Sequence, residues 1–342
     1  MRPCYRIAFV LATASTLVFA HTATAADALF WALGSGGLQT TPLATPGTTT
    51  QLWAVTSNDL AYDRSSNQFF WGQGTSVMRG NSDGSGSSSF VSTDGTTPVH
   101  RIAVDPVGGM VYWADYSGAV KILRAPVGGG APTTVATPGG LRGIAIDPRP
   151  SKRKFYYVDG GVINVSSLDG VPSFSALANA LPGDVISIAV DTCANQFVAI
   201  GQTTPHPGVP SPFVLQANLT DAGGQVTLFS GNTAIGCTNP VDDAASVQVD
   251  SNHQKIYWTT HDCSNNSQIR SGNRDGSGTP AVLLSINSSS QWIRGLQFSA
   301  PASCPTIGVP SPAMSPVAAL LLLLALAGAG AYLSRRRLEP AA

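Results

Sequence analysis

Five aspartates stand at matching places in this chain of 342 residues: Asp63, Asp105, Asp147, Asp191 and Asp250 each close a short apolar run. Carboxylates repeated in this way could ring a metal ion. A repeated carboxylate at a repeated strand end more commonly accepts the backbone N–H groups of the turn that follows, and that role is expected here. The segments 81–86 and 273–278, Asn-Ser-Asp-Gly-Ser-Gly and Asn-Arg-Asp-Gly-Ser-Gly, have the composition of calcium loops. They lack the distal bidentate Glu, and a tight Asp-Gly hairpin accounts for both without an ion. Past the first 26 residues the histidines are His100, His206, His253 and His261, with no paired ligand spacing and no Gly-x-Ser-x-Gly elbow. The expectation is a protein with no catalytic residue, no metal and no cofactor.

Composition narrows the partner. Only 11% of the chain is charged, and Lys+Arg and Asp+Glu are 19 each. A neutral chain with so few charges has no basic footprint for nucleic acid. With 36 Gly, 24 Pro and 43% hydrophobic residues, it is too apolar for disorder and reads as an all-β body with many turns.

Both ends look like addresses. Two arginines in residues 1–6, an apolar stretch over 7–20 and small residues at Ala23, Ala25 and Ala26 form a secretory signal peptide, residues 1–26. Residues 301–316 are a Pro/Ser-rich linker, and 317–333 are 17 uncharged residues that read as a transmembrane helix. A basic cytoplasmic tail follows over 334–342, with Arg335, Arg336 and Arg337 in front. The body is therefore expected in the cell envelope, periplasmic or extracellular, held by the C-terminal helix unless that helix is removed. The tail resembles bacterial C-terminal sorting signals of the PEP-CTERM and IPTL-CTERM type, with Val309-Pro310-Ser311-Pro312-Ala313-Met314-Ser315 as the motif. It lacks the usual Trp. The resemblance implies a sorting protease as a partner; plain anchoring is the alternative.

Between the ends the chain repeats itself. The apolar runs Leu60-Ala61-Tyr62, Ile102-Ala103-Val104, Ile144-Ala145-Ile146, Ile188-Ala189-Val190 and Val247-Gln248-Val249 precede the five aspartates, spaced 42, 42, 44 and 59 residues apart. An aromatic pair follows in four units: Phe70-Trp71, Tyr112-Trp113, Tyr156-Tyr157 and Tyr257-Trp258. The fourth unit has Val198-Ala199 instead. A third strand, a Gly-containing turn and a fourth strand complete each unit, the signature of a propeller blade. The leftovers supply one more: Leu29-Phe30-Trp31 has an aromatic pair without a first strand, and Gly295-Leu296-Gln297-Phe298 has a first strand without the pair. Joined, they close a six-bladed β-propeller over residues 27–300, with N- and C-terminal strands sharing the closing blade.

The Asp-x6-aromatic-Trp spacing and the Asp-Gly hairpins resemble the six-bladed YWTD propellers of the low-density-lipoprotein receptor class. The Thr-Asp half of that motif survives only as Ala114-Asp115, Val158-Asp159 and Thr259-Thr260. The resemblance implies an extracytoplasmic recognition scaffold and leaves the ligand open.

Two insertions stretch the interval between Asp191 and Asp250: residues 202–212 within blade four, and 230–245 between blades four and five. In a propeller both connections open on one face, as does 261–267 in blade five. Loop elaboration on one face of a rigid ring marks a binding surface. The expected ligand-binding residues are His206, Asp242, Asp243, His261 and Asp262. Once Cys4 leaves with the signal peptide four cysteines remain, and of three possible connectivities the face assignment favours Cys237 with Cys263 and Cys193 with Cys304. The function expected is non-catalytic binding of an envelope or extracellular protein or glycan. The rival is a propeller enzyme, a metal-dependent hydrolase or lactonase or a lyase, with its site at the channel mouth; a purely architectural surface protein is the third reading.

Overall fold

The computed structural model describes residues 27–92, 99–116, 119–150, 152–168, 173–203, 211–230, 246–261, 266–287 and 292–299. Residues 1–26 and 301–342, where the signal peptide, linker, sorting motif, spanning helix and basic tail are expected, lie outside the described residues. Among the described residues every regular element is a β-strand, and no helix is long and apolar enough to cross a membrane.

The strands form six four-stranded antiparallel sheets. The chain opens with β1 (Ala28–Leu33), β2 (Gly37–Pro42) and β3 (Thr50–Trp53). Blade one follows as β4 (Leu60–Asp63), β5 (Gln68–Gln73), β6 (Ser76–Asn81) and β7 (Ser88–Ser92). Blade two is β8 (Ile102–Asp105), β9 (Met110–Asp115), β10 (Lys121–Pro126) and β11 (Thr133–Ala136). Blade three is β12 (Leu141–Asp147), β13 (Lys154–Asp159), β14 (Val162–Ser167) and the two-residue β15 (Ser175–Ala176). Blade four is β16 (Asp184–Asp191), β17 (Gln196–Thr203), β18 (Ser211–Asn218) and β19 (Val226–Ser230). Blade five is β20 (Val247–Asp250), β21 (Lys255–His261), β22 (Asn266–Asn273) and β23 (Ala281–Asn287). The last strand, β24 (Ile293–Phe298), pairs antiparallel with β1, placing Leu296 opposite Trp31 and Phe298 opposite Leu29. Blade six is thus built from both ends of the domain, which leaves the ring no open seam.

Each gap between neighbouring blades holds its own hydrophobic cluster. The second-strand aromatics fill these gaps: Trp31, Trp71, Trp113 and Trp258 are at most 1% exposed. Burying such a side chain is worth on the order of 3 kcal/mol. Blade four lacks the pair, yet Val198 and Ala199 occupy the same buried places, and Phe197 meets the Tyr156 ring edge-on at 4.8 Å. Two glycines admit outer-strand aromatics from the preceding blade. A Cβ on Gly80 would lie 2.5 Å from Trp53, and one on Gly272 would lie 2.5 Å from Phe229. Those rings stack on Trp71 and Trp258, with centroids 4.8 and 5.3 Å apart.

The repeated aspartates have the expected structural role. Asp105 Oδ1 accepts the N–H groups of Val107 and Gly108, Asp191 Oδ1 those of Cys193 and Ala194, and Asp250 Oδ1 those of Asn252 and His253. Asp63 and Asp147 accept from Ser65 and Arg149 in the same way. All five are buried, and three are also held by arginines: Arg153 on Asp105, Arg149 on Asp147 and Arg274 on Asp191. Arg153 and Arg274 reach across from the next blade, so these pairs tie neighbouring blades together. The Asp-Gly hairpins are present at Gly84 and Gly276, with φ of 88° and 76°. Asp83 and Asp275 cap these turns, and hydrogen bonds from Ser85 and Ser277 hold both carboxyls below the usual carboxylate range.

Candidate functional site at the channel mouth

Inner strands β4, β8, β12, β16, β20 and β24 surround the axis. They end, at the aspartates, on one face of the ring, and they begin on the other. The strands align through Leu60, Ile102, Ile144, Ile188, Val247 and Leu296, and the one to four residues ahead of these positions do not repeat. Blade one brings Asn58 and Asp59, blade two His100 and Arg101, blade three Arg142, blade four Asp184, blade five Ser246 and blade six Arg294. A propeller puts these positions around one end of the ring although they lie 41 to 62 residues apart in sequence.

These side chains join blade to blade. Arg294 Nη1 donates to Asn58 Oδ1 at 2.8 Å, while its guanidinium lies 5.7 Å from the centre of the Trp292 ring. Asp59 Oδ1 accepts from Leu60 N at 2.9 Å, and Oδ2 crosses to blade two to accept from Ile102 N at 3.1 Å. Burial pushes the Asp59 carboxyl up to about 6, opposed by the positive charge of Arg101 and by the two backbone donors. Arg101, itself buried, donates from Nε to the Arg142 carbonyl. Arg142 then pairs with Asp184 at 3.2 Å. Nearby the Tyr116 hydroxyl donates to the Leu141 carbonyl at 2.8 Å, with the His100 ring edge-on at 5.1 Å. The polar belt thus spans the junctions from blade six through blade one to blade four. In blade five the Thr259 hydroxyl accepts the Ser246 N–H at 2.7 Å.

The belt holds three arginine side chains, Arg101, Arg142 and Arg294, and two aspartate side chains, Asp59 and Asp184. It is a mixed set of fixed donors and acceptors at one end of the ring, with Asp59 and Arg101 buried and Arg142 and Asp184 partly exposed. Among the described residues no group of three or more His, Cys, Asp or Glu could hold a metal ion.

The ligand-binding residues expected from sequence are different ones. His206, Asp242, Asp243 and Asp262 lie outside the described residues. His261 is the last residue of β21, paired in the ladder with Ser267. The insertion expected over 202–212 is partly ladder: β17 and β18 extend so that Gln202 pairs with Pro212 and Thr203 with Ser211. Backbone pairing thus takes both ends of a segment that composition alone marks as loop. Cys193 takes part in a disulfide; the pairings expected for Cys237, Cys263 and Cys304 lie outside the described residues. Asn58, Asp59, Arg101, Arg142, Asp184 and Arg294 were missed from sequence. Their signal is that charged or amide residues stand just before a repeated apolar strand, at positions where the repeat has no common residue.

No protein-family model matches the chain, and no curated protein matches it in sequence. Solved structures do. The chain is similar to a chain of the nidogen/laminin complex, at 16% identity and a TM-score of 0.62 over 80% of this chain and 98% of that one. It is similar to TolB from Acinetobacter baumannii, at 11% identity and 0.60, over 80% of this chain and 66% of that one. TolB from Agrobacterium tumefaciens gives 10% and 0.54, over 81% and 99%. At such identities the likeness shows the fold alone. The chain is an all-β six-bladed propeller.

Proposed function

We propose that this protein is an exported cell-envelope propeller of the YWTD type, anchored or sorted through its C-terminal segment. It binds a protein or glycan without performing chemistry on it. The observation that carries this reading is the belt of non-repeating polar residues at the heads of the inner strands. Repeated residues in this chain serve the scaffold; the polar residues near the heads of the inner strands do not repeat, and they join blade to blade at one end of the ring. Arg294, Arg142 and Asp184 there offer charge-assisted hydrogen bonds in fixed directions, on the face where the three elaborated connections also emerge. The signal-peptide pattern and the uncharged 317–333 segment support export with the propeller outside the cytoplasm.

The test is capture from envelope extracts with the detergent-solubilised full chain, compared with an Arg142→Glu/Arg294→Glu variant that melts at the same temperature. A discrete partner retained by the wild type and lost by the variant is expected. Equal capture by both proteins, or turnover of lactone substrates by the purified chain with added divalent metal, would overturn the proposal.

A further inference from the structure

Between the inner strands, toward the aspartate-turn face, lies a cavity of about 210 Å³. It is smaller than the roughly 300–1,000 Å³ of sites for drug-sized ligands. Its wall is two-sided because of one break in the repeat. The second residue of the inner strand is Ala61, Ala103, Ala145 and Ala189 in blades one to four, but Gln248 and Gln297 in the adjoining blades five and six. Two carboxamides therefore sit side by side, across the axis from Ala103 and Ala145.

Both glutamines are half-buried, and among the described residues neither amide is hydrogen-bonded within the protein. The charged groups of the wall are already engaged. Arg64 donates from Nε and Nη2 to the carbonyls of Ser299 and Phe298 at 3.2 and 2.8 Å. Asp250 caps its own turn and meets His253 Nδ1 at 2.7 Å. Two neutral amides, each both donor and acceptor, therefore stay open to a ligand and face the alanines of the opposite blades.

We infer that this cavity is a binding site for an uncharged polyol of monosaccharide size. Its hydroxyl edge would lie on Gln248 and Gln297, and its C–H face on the alanine side. The site is on the opposite face from the charged mouth and does not depend on the reading given to that mouth.

The experiment is saturation-transfer NMR and titration calorimetry of the full chain with D-glucose, D-galactose and D-mannose as probes. Saturable binding of at least one hexose at millimolar concentration is expected, weakened about tenfold or more in Gln248→Ala/Gln297→Ala. That variant carries the residue four other blades already have, so its melting temperature should stay close to wild type. Gln248→Leu/Gln297→Leu keeps side-chain bulk without the amides and should show the same loss, so the result stands even if the alanine variant folds poorly. No saturable binding of any of the three sugars at tens of millimolar, or undiminished affinity in the variant that folds, would refute the assignment.

Discussion

Replacing Asp59 by asparagine should change the pH dependence of folding, not merely its level. The folded-state pKa of this carboxyl lies at about 6, above an ordinary value of 3.8, because burial disfavours its charge. Well below pH 3.8 the group is protonated both folded and unfolded, and it carries no penalty. As pH rises through the unfolded pKa toward 6 the unfolded chain ionises first, so the folded state loses ground until both forms are charged. At about 1.4 kcal/mol per pKa unit, the full difference makes Asp59 about 3 kcal/mol more costly at pH 7.5 than near pH 2, and roughly 2.5 kcal/mol of that develops between pH 4 and pH 7.5. The asparagine side chain cannot ionise, but its single carbonyl can accept only one of the N–H groups of Leu60 and Ile102 that Asp59 now serves. The other N–H would face an amide, at a pH-independent cost of about 1–3 kcal/mol. Asp59→Asn should therefore be the less stable protein at pH 4 and equal to or more stable than wild type at pH 7.5. Urea unfolding of both proteins at a series of pH values measures this, read by the fluorescence of the buried tryptophans with disulfides kept oxidised. Taking the difference between the two proteins cancels every other titrating group. A stability gap that stays within about 0.5 kcal/mol across the range would show that Asp59 is not held out of water as argued.

Two further substitutions test the ring itself. Arg153→Met leaves the buried Asp105 carboxylate without its partner from the neighbouring blade and should cost about 3–5 kcal/mol, seen as a lowered urea midpoint. A drop of under 1 kcal/mol would mean that the turn N–H groups suffice to hold Asp105. Gly295→Ala puts a methyl group 2.5 Å from Asp59 Oδ1 and 2.7 Å from Leu60 Cδ2, at the contact between the closing strand and blade one. It should lower stability by about 1–3 kcal/mol. Gly128→Ala, which meets nothing within 4 Å, should stay within about 0.5 kcal/mol; equal effects at the two sites in thermal melts would contradict the packing argument.

Much of the architecture was legible without coordinates. The second-strand aromatics, the Asp-Gly hairpins and the Asp63-type turn caps are local devices, each specified within a dozen or so residues, so they show as spacing. Closure was legible too, because Trp31 lacks a first strand and Leu296 lacks an aromatic pair, and each supplies what the other misses. Blade four was the hardest unit to read. Val198 and Ala199 take the place of an aromatic pair, and the lengthened ladder of β17 and β18 takes in residues that resemble a loop.

The polar belt was not legible in the same way. His206, Asp242, Asp243, His261 and Asp262 were chosen because insertions are visible in a linear chain. Asn58, Asp59, Arg101, Arg142, Asp184 and Arg294 were not chosen, because each looks ordinary beside its sequence neighbours. The amino-acid sequence determined by itself that this protein is a closed ring of six sheets, since hydrophobic period and turn chemistry are short-range and recur. Only the tertiary structure decided which polar groups converge: Asp59 with the Ile102 N–H, Arg153 with Asp105, Gln248 beside Gln297. Such neighbours are a whole blade apart along the chain, and the pseudo-sixfold axis that brings them together is a property of the packed ring.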